Sequence, residues 1–348
     1  SPGSVLAAMK ASLDAKETSY TGNSGMMELR EAISHHFEQR YGVHYDPKDE
    51  ILVTVGVSEG LAMALLAITE PGDEVIIPDP AYVAYPASVE LAGGTPVFVS
   101  TYPEHDFKLT VEALEKVITP KTKAIVIGYP NNPTGTVMSA EELMPIAKFA
   151  EEHDLIVLSD EIYCELMYGD AKFTSFAKLP GMRERTVIFN GFSKAYAMTG
   201  MRLGYVCAPR EGLAPILKLH QYAIMCANTT AQVGGITALK ECDDDVEAMR
   251  QEYDRRRKVI YKGLCDMGLP VFEPKGAFYI FPDIRCTGMT SAEFCEKLVQ
   301  EEKVAVVPGT AFGDQGEGFV RISYAASMDT IQEALKRMAR FVAQYRKD

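Results

Sequence analysis

The stretch TVIFNGFSKAYAMTGMRLGY, residues 186–205, decides how the rest of the chain is read. Thr186 to Phe189 are β-branched or aromatic and read as a buried strand, which stops at the turn dipeptide Asn190-Gly191. Lys194 sits just past that strand end. A lysine at the carboxyl end of a strand in an α/β sheet lies where such sheets bind ligands. Partial desolvation there lowers its pKa and makes its amine nucleophilic. Arg202 comes eight residues later, and Thr199-Gly200 breaks the chain between them, so the two cations can converge on one small anion. Taken alone, the stretch reads equally well as two solvated surface cations. The other strand ends decide between these readings.

Working outward, apolar strands alternate with helices. A helix over 5–16 is broken by Tyr20-Thr-Gly-Asn-Ser-Gly25, and an amphipathic helix runs from Met27 to Tyr41. Strand 51–55 passes through Gly56 into a helix over 58–68, strand 74–78 leads into a helix over 82–91, and strand 96–100 follows a Gly-Gly turn. Strand 123–128 ends in YPNNPTG, a capping box of Ser139 with Glu142 opens the next helix, and strand 155–161 follows. With strands 186–190 and 203–208 this predicts a doubly wound, mostly parallel α/β sheet of seven strands, covered by helices on both faces.

Composition shifts after Ala238. The acidic run 241–245 opens a long polar helix in which acidic residues lead and basic ones trail, as the helix dipole favours. Beyond it, 271–284 reads as two strands, 291–302 as a helix, 304–309 and 319–325 as strands, and 328–345 as a closing helix. The predicted division is a large domain over residues 1–245 and a smaller α+β C-terminal domain over 246–348, within ordinary domain sizes.

Bulk properties narrow the partners. The 348 residues are 47% hydrophobic, enough for a substantial core, and carry a net charge of −13, which argues against nucleic acid or an anionic membrane. Any bound anion must therefore be gripped by local basic groups and backbone amides. Seven scattered cysteines with no C-x-x-C pair read as reduced thiols. The adjacent His35-His36 cannot face one another on a helix, so no metal site is expected. No apolar run is of membrane-spanning length and no signal peptide precedes Ser1, so a soluble cytoplasmic protein is expected.

The chemistry gathers at strand ends. At Gly56-Val57-Ser58-Glu59-Gly60, free backbone N–H groups and the Ser58 hydroxyl can cradle a phosphate, although any strand-to-helix turn offers as much. Asn131 and Asn132, held between Tyr129-Pro130 and Pro133-Thr134-Gly135, offer a rigid amide donor and acceptor, or merely a turn. Asp160 ends an apolar strand, where a carboxylate must be paired, hydrogen bonded or exposed. With Tyr163 three residues on, it can hold a protonated ring nitrogen while the phenol meets a ring oxygen; a helix cap is the plainer alternative. All these candidates share the ligand-binding edge of a doubly wound sheet. An amine, a carboxylate for a pyridinium, an amide and a phenol for a phenolate, and an arginine for a phosphate together describe pyridoxal phosphate. Tyr82 supplies a ring to stack on the pyridine.

From Val5 to about Tyr345 the chain resembles the pyridoxal-phosphate aminotransferases of fold type I, class I/II, in the prokaryotic branch that includes aspartate and aromatic aminotransferases. The resemblance rests on YTGNSGMMELREAI, DPAYVAYP, YPNNPTG, SDEIY, FSKAYAMTGMRLGY, VPGTAFG and RISYA, in that order. It implies that Lys194 carries the cofactor and shuttles the proton, that Asp160 pairs with the ring nitrogen, and that Asn132 and Tyr163 bind the ring oxygen. It further implies that Tyr82 stacks on the ring and that Val57, Ser58 and Arg202 hold the phosphate. By the same resemblance Arg321 grips the substrate carboxylate, with Asn132 beside it, and Tyr20 reaches the phosphate of the neighbouring subunit in a homodimer with shared active sites. The implied reaction passes the amino group of an L-amino acid to a 2-oxo acid, 2-oxoglutarate foremost, in ping-pong fashion.

Two departures stand out. Gly191 replaces a serine that many relatives use for the phosphate, so that contact is expected to be lost or moved to Ser193. Relatives also carry an upstream segment that closes over the substrate, and the expectation is an open pocket without it. Substrate choice is poorly encoded: aromatic donors are favoured by Tyr20, Tyr82 and Phe192, with dicarboxylic donors and an acylated diaminopimelate precursor open. A carbon–sulfur β-lyase of the same fold and a cofactor-binding regulatory module are the competing readings.

Overall fold

The computed structural model describes residues 1–347. Its strands are β1 (Ile51–Thr54), β2 (Glu74–Asp79), β3 (Thr95–Ser100), β4 (Thr122–Ile127), β5 (Ile156–Asp160), β6 (Thr186–Gly191) and β7 (Gly204–Cys207), followed by the short β8 (Tyr279–Ile280), β9 (Val307–Pro308) and β10 (Val320–Ser323). The first seven form one sheet in the order β1-β7-β6-β5-β4-β2-β3. β7 runs antiparallel to both its neighbours, and the other pairs are parallel. β7 therefore begins at the edge where β1, β2, β4, β5 and β6 end, so residues before β7 meet residues after the others.

The alternation of side chains along each strand builds both faces. Leu158 of β5 joins Val75, Ile77, Val126, Phe189 and Val206 against the helices Gly56–Ile68, Ala84–Leu91 and Arg210–Ala223. Its neighbour Val157 turns the other way, with Ile76 and Ile125, onto the helix Ala140–Glu152. That helix opens with the expected capping box, in which Ser139 accepts from the Glu142 N–H and the Glu142 carboxylate accepts from the Ser139 N–H. Ile188 and Cys207 face the same side farther along, under the helices Met27–Tyr41 and Thr229–Glu241. Each fully buried side chain of the size of Phe189 contributes about 1.5–3 kcal/mol.

The second unit centres on an antiparallel sheet, β8-β10-β9, packed beneath the helices Asp243–Asp266, Ser291–Glu302 and Met328–Tyr345 through Ile260, Leu264, Phe294, Leu298, Val320 and Phe341. Two strand expectations are corrected here. Residues 271–284 hold only the two-residue β8, because Pro274, Gly276 and Pro282 interrupt the ladder and the N–H groups of Lys275 and Gly276 donate to the Gly135 carbonyl instead. Residues 304–309 pair only at Val307–Pro308, after which Gly309 donates to Phe319 and the chain coils into a short 3-10 turn. The helix Thr229–Glu241 carries Gly234-Gly235, and a Cβ on Gly235 would lie 2.6 Å from the Leu203 side chain, so the glycine lets the helix pack closely on Leu203.

Candidate active site

The strand ends enclose a cavity of about 380 Å3 at the shared edge. Nine of the ten sequence-predicted residues line it: Val57, Ser58, Tyr82, Asn132, Asp160, Tyr163, Lys194 and Arg202 from the large sheet, and Arg321 from β10. Tyr20 does not; it lies on the surface, 79% exposed. Among the described residues no cluster of His, Cys, Asp and Glu is placed to hold a metal.

One end of the cavity is built by close backbone approach. Gly56 starts the helix after β1 at φ +74°, and a Cβ there would sit 2.5 Å from Arg202 Nη2. Gly191 and Gly204 face each other across β6 and β7, where a Cβ on Gly191 would come within 2.8 Å of the Gly204 Cα. A Cβ on Gly204 would in turn meet the Val57 nitrogen at 2.8 Å. Glycine at position 191 thus belongs to a tight junction beneath the helix start, while Ser193 and Thr199 line the cavity beside Arg202. Amides, hydroxyls and a guanidinium at a helix N-terminus make an anion site.

Asp160 is buried in the cavity wall. Its Oδ2 accepts from the Tyr85 hydroxyl at 2.7 Å and its Oδ1 from the Ile162 N–H at 3.2 Å. Burial raises its pKa above the usual carboxylate value, against the pull of those two hydrogen bonds and of Lys194. Burial also lowers the Lys194 amine; Asp160 opposes that shift, and Arg321 and Arg202 reinforce it. The Lys194 Nζ stands 5.6 Å from the Tyr163 ring and 5.5 Å from the Phe278 ring, and the residue lines the cavity.

Arg321 crosses over from the small sheet. Its guanidinium lies between two rings, 4.5 Å from Tyr279 and 4.7 Å from Phe312, and its Nη1 donates to Asn132 Oδ1 at 2.8 Å. Its Nε is buried without a partner among the described residues. An arginine stacked and part-satisfied in this way is poised for a carboxylate.

Three contributors were not singled out from the sequence. Tyr85 lies one turn beyond Tyr82, a spacing that could have flagged it. Tyr279 sits in the apolar, aromatic run GAFYIF, indistinguishable from core, and Phe312 in the loop motif VPGTAFG, where nothing local sets it beside Arg321. Next to Asp160, Glu161 points away from the cavity: its Oε1 accepts from Ser159, Ser175 and the Phe176 N–H, each at 3.0 Å. Burial, only partly offset by these bonds, pushes its carboxyl up to about 8.

A buried carboxylate, an amine with lowered pKa, an anion cradle and a carboxylate-ready arginine in one cavity define an enzyme that handles amino and oxo acids. The comparisons agree. The family described as "Aminotransferase class I and II" matches residues 2–338. Aspartate aminotransferase of Pyrococcus abyssi is 49% identical over 337 residues, spanning 96% of this chain and 87% of the relative. Aromatic-amino-acid aminotransferase 2 of Thermococcus litoralis is 47% identical, over 96% of this chain and 87% of its own. The crystal structure of an aromatic aminotransferase from Pyrococcus horikoshii OT3 superposes with a TM-score of 0.97 at 48% identity, covering 99% of this chain and 92% of that one. The chain belongs to the class I and II aminotransferases. Its reaction is transamination between an amino acid and an oxo acid, and the family uses pyridoxal phosphate.

Proposed function

We propose that this chain transfers the amino group of aromatic or dicarboxylic L-amino acids to 2-oxoglutarate, with pyridoxal phosphate held in the cavity between the two sheets. The observation that carries the reading is the convergence of Lys194, Asp160, Arg202 and Arg321 on that one cavity. The donor set fits the cofactor. Val57, Ser58, Ser193 and Arg202 would hold the phosphate, Asn132 and Tyr163 the ring oxygen, Asp160 the ring nitrogen, and Tyr82 the ring face. When bound, the cofactor supplies an electron-accepting ring that acidifies the substrate Cα–H.

The protein's residues do the rest. Arg321, steadied by Tyr279, Phe312 and Asn132, fixes the substrate carboxylate and so orients the Cα–H bond. Lys194, kept readily deprotonated by burial, is the base that would take the proton from the substrate Cα and move it on within the cavity. Asp160 would pair with the ring nitrogen, an arrangement that favours the protonated form of that nitrogen. The reading includes a division into a cofactor domain over residues 1–245 and a small domain over 246–348. It also includes a homodimer in which the exposed Tyr20 completes the partner's phosphate site, and a cytoplasmic location. No helix among the described residues is long and apolar enough to cross a membrane.

The test is turnover of single L-amino acids with 2-oxoglutarate, with Lys194→Ala as the control. Glutamate formation by the wild type and none by the variant is the expected result. Release of pyruvate and ammonia from a cysteine conjugate without an oxo acid would overturn it in favour of β-elimination.

A further inference from the structure

The hydroxyl of Tyr163 makes one hydrogen bond among the described residues, to the hydroxyl of Tyr279 at 2.9 Å, and Tyr279 makes no other through its own hydroxyl. Each phenol has a single proton, so one of the two must donate and the other accept. The direction follows from what lies around them. Tyr279 on β8 is opposite Ser323 of β10, which places it diagonally across from Arg321 on the same face. The guanidinium stacks 4.5 Å from its ring. A cation over the ring draws electron density from the phenol and strengthens it as a donor. Burial raises both phenols and Arg321 opposes both shifts; Tyr163 is pushed well above its usual value, with Tyr279 adding to the shift, whereas Tyr163 opposes the shift of Tyr279. Tyr279 is therefore the donor, and the Tyr163 proton is left free to point into the cavity.

The other limb ends on the same arginine. Arg321 Nη1 donates to Asn132 Oδ1, which turns the Asn132 amide nitrogen, a donor, to the opposite side. We propose that Tyr279 is a positioning residue that aims the Tyr163 hydroxyl at the cofactor's ring oxygen and ties that hydroxyl to the carboxylate-binding Arg321. The proposal rests on the assignment of Tyr163 to the ring oxygen made above. Its consequence is that the groups recognising the substrate carboxylate and the groups holding the ring oxygen form one frame, Arg321–Tyr279–Tyr163 on one side and Arg321–Asn132 on the other.

The experiment is a pH titration of the visible absorption of the cofactor-loaded protein, comparing wild type, Tyr279→Phe, Tyr163→Phe and the double variant. Tyr279→Phe keeps the ring under Arg321 and removes only the hydroxyl. A donor that strengthens its neighbour's hydrogen bond to a phenolate oxygen shifts that chromophore's midpoint by up to about half a pH unit, so the midpoint of Tyr279→Phe rises by that much. In the Tyr163→Phe background the same change adds nothing, because the hydroxyl it acts through is gone. Tyr279→Leu, which also loses the cation–π contact, raises KM for the amino acid by roughly two- to fivefold over Tyr279→Phe. A Tyr279→Phe midpoint equal to wild type overturns the proposal, as does a shift that persists without Tyr163, which would mark a general packing effect. If Tyr163→Phe itself leaves the midpoint unmoved, the ring-oxygen assignment fails first and the proposal falls with it.

Discussion

Replacing Glu161 by glutamine tests the electrostatics beneath the cavity without touching the cavity. The Glu161 carboxyl is held at about 8, against 4.5 for an ordinary glutamate, a gap of 8 − 4.5 = 3.5 units. Between those two values the unfolded chain has released a proton that the folded chain still holds. Stability from this group is therefore fully present below the unfolded value and is lost as pH rises through the folded one. The slope is about 1.4 kcal/mol per pH unit, so from about pH 5 to about pH 8 the side chain alone removes about 4 kcal/mol. Glutamine cannot ionise. It keeps the Oε1 acceptor for Ser159, Ser175 and Phe176, and its amide takes the place of Oε2, which has no partner among the described residues. Near pH 5 the two proteins should then differ by no more than about 1–3 kcal/mol, the cost of one unpartnered group. Urea unfolding of the cofactor-free protein, wild type against Glu161→Gln, should show the difference shifting in the variant's favour by about 4 kcal/mol across that range. A difference constant with pH would refute the reasoning, because it would mean that Glu161 ionises in the fold as readily as out of it.

Arg321→Lys keeps the charge but loses the planar fork and the stack between Tyr279 and Phe312. KM for the amino acid should rise by roughly ten- to a hundredfold in steady-state assays, the worth of one charge-assisted hydrogen bond. Gly135→Ala forces a side chain into φ +74° and within 2.5 Å of the Pro274 Cβ and 2.7 Å of the Tyr279 carbonyl. It should cost roughly 2 kcal/mol or more in thermal or urea unfolding; an unchanged midpoint would mean that the 274–279 segment is not clamped by this loop.

Most of the large sheet was legible because its strands are short apolar runs, each closed by a turn residue and followed by a helical period. Strand 155–161 differs from the observed Ile156–Asp160 only at its ends. Legibility failed where tertiary contact overrides local pattern. The run from Val271 to Ile284 looks β-rich, yet the N–H groups of Lys275 and Gly276 are spent on the Gly135 carbonyl, a partner about 140 residues away in sequence. The helix Thr229–Glu241 hides behind two glycines whose purpose is close packing. In the site, residues at strand ends declared themselves by charge in apolar surroundings: Asp160 and Lys194 could be chosen without the fold. Tyr279 could not, because a phenol in GAFYIF looks like core until strand register sets it under Arg321 and against Tyr163. Arg321 itself reads as a surface strand arginine until the small sheet is folded over the cavity.

The central claim is that the cavity runs an amino-transfer half-reaction through Lys194. The most direct measurement is the visible spectrum of the purified protein with pyridoxal phosphate, before and after a single L-amino acid, with no oxo acid present. The account predicts that the visible band of the lysine-bound cofactor gives way to the spectrum of the aminated cofactor, with one equivalent of 2-oxo acid released. A band that persists while pyruvate and ammonia accumulate would contradict it, as would a protein that binds the cofactor and shows no change with any amino acid.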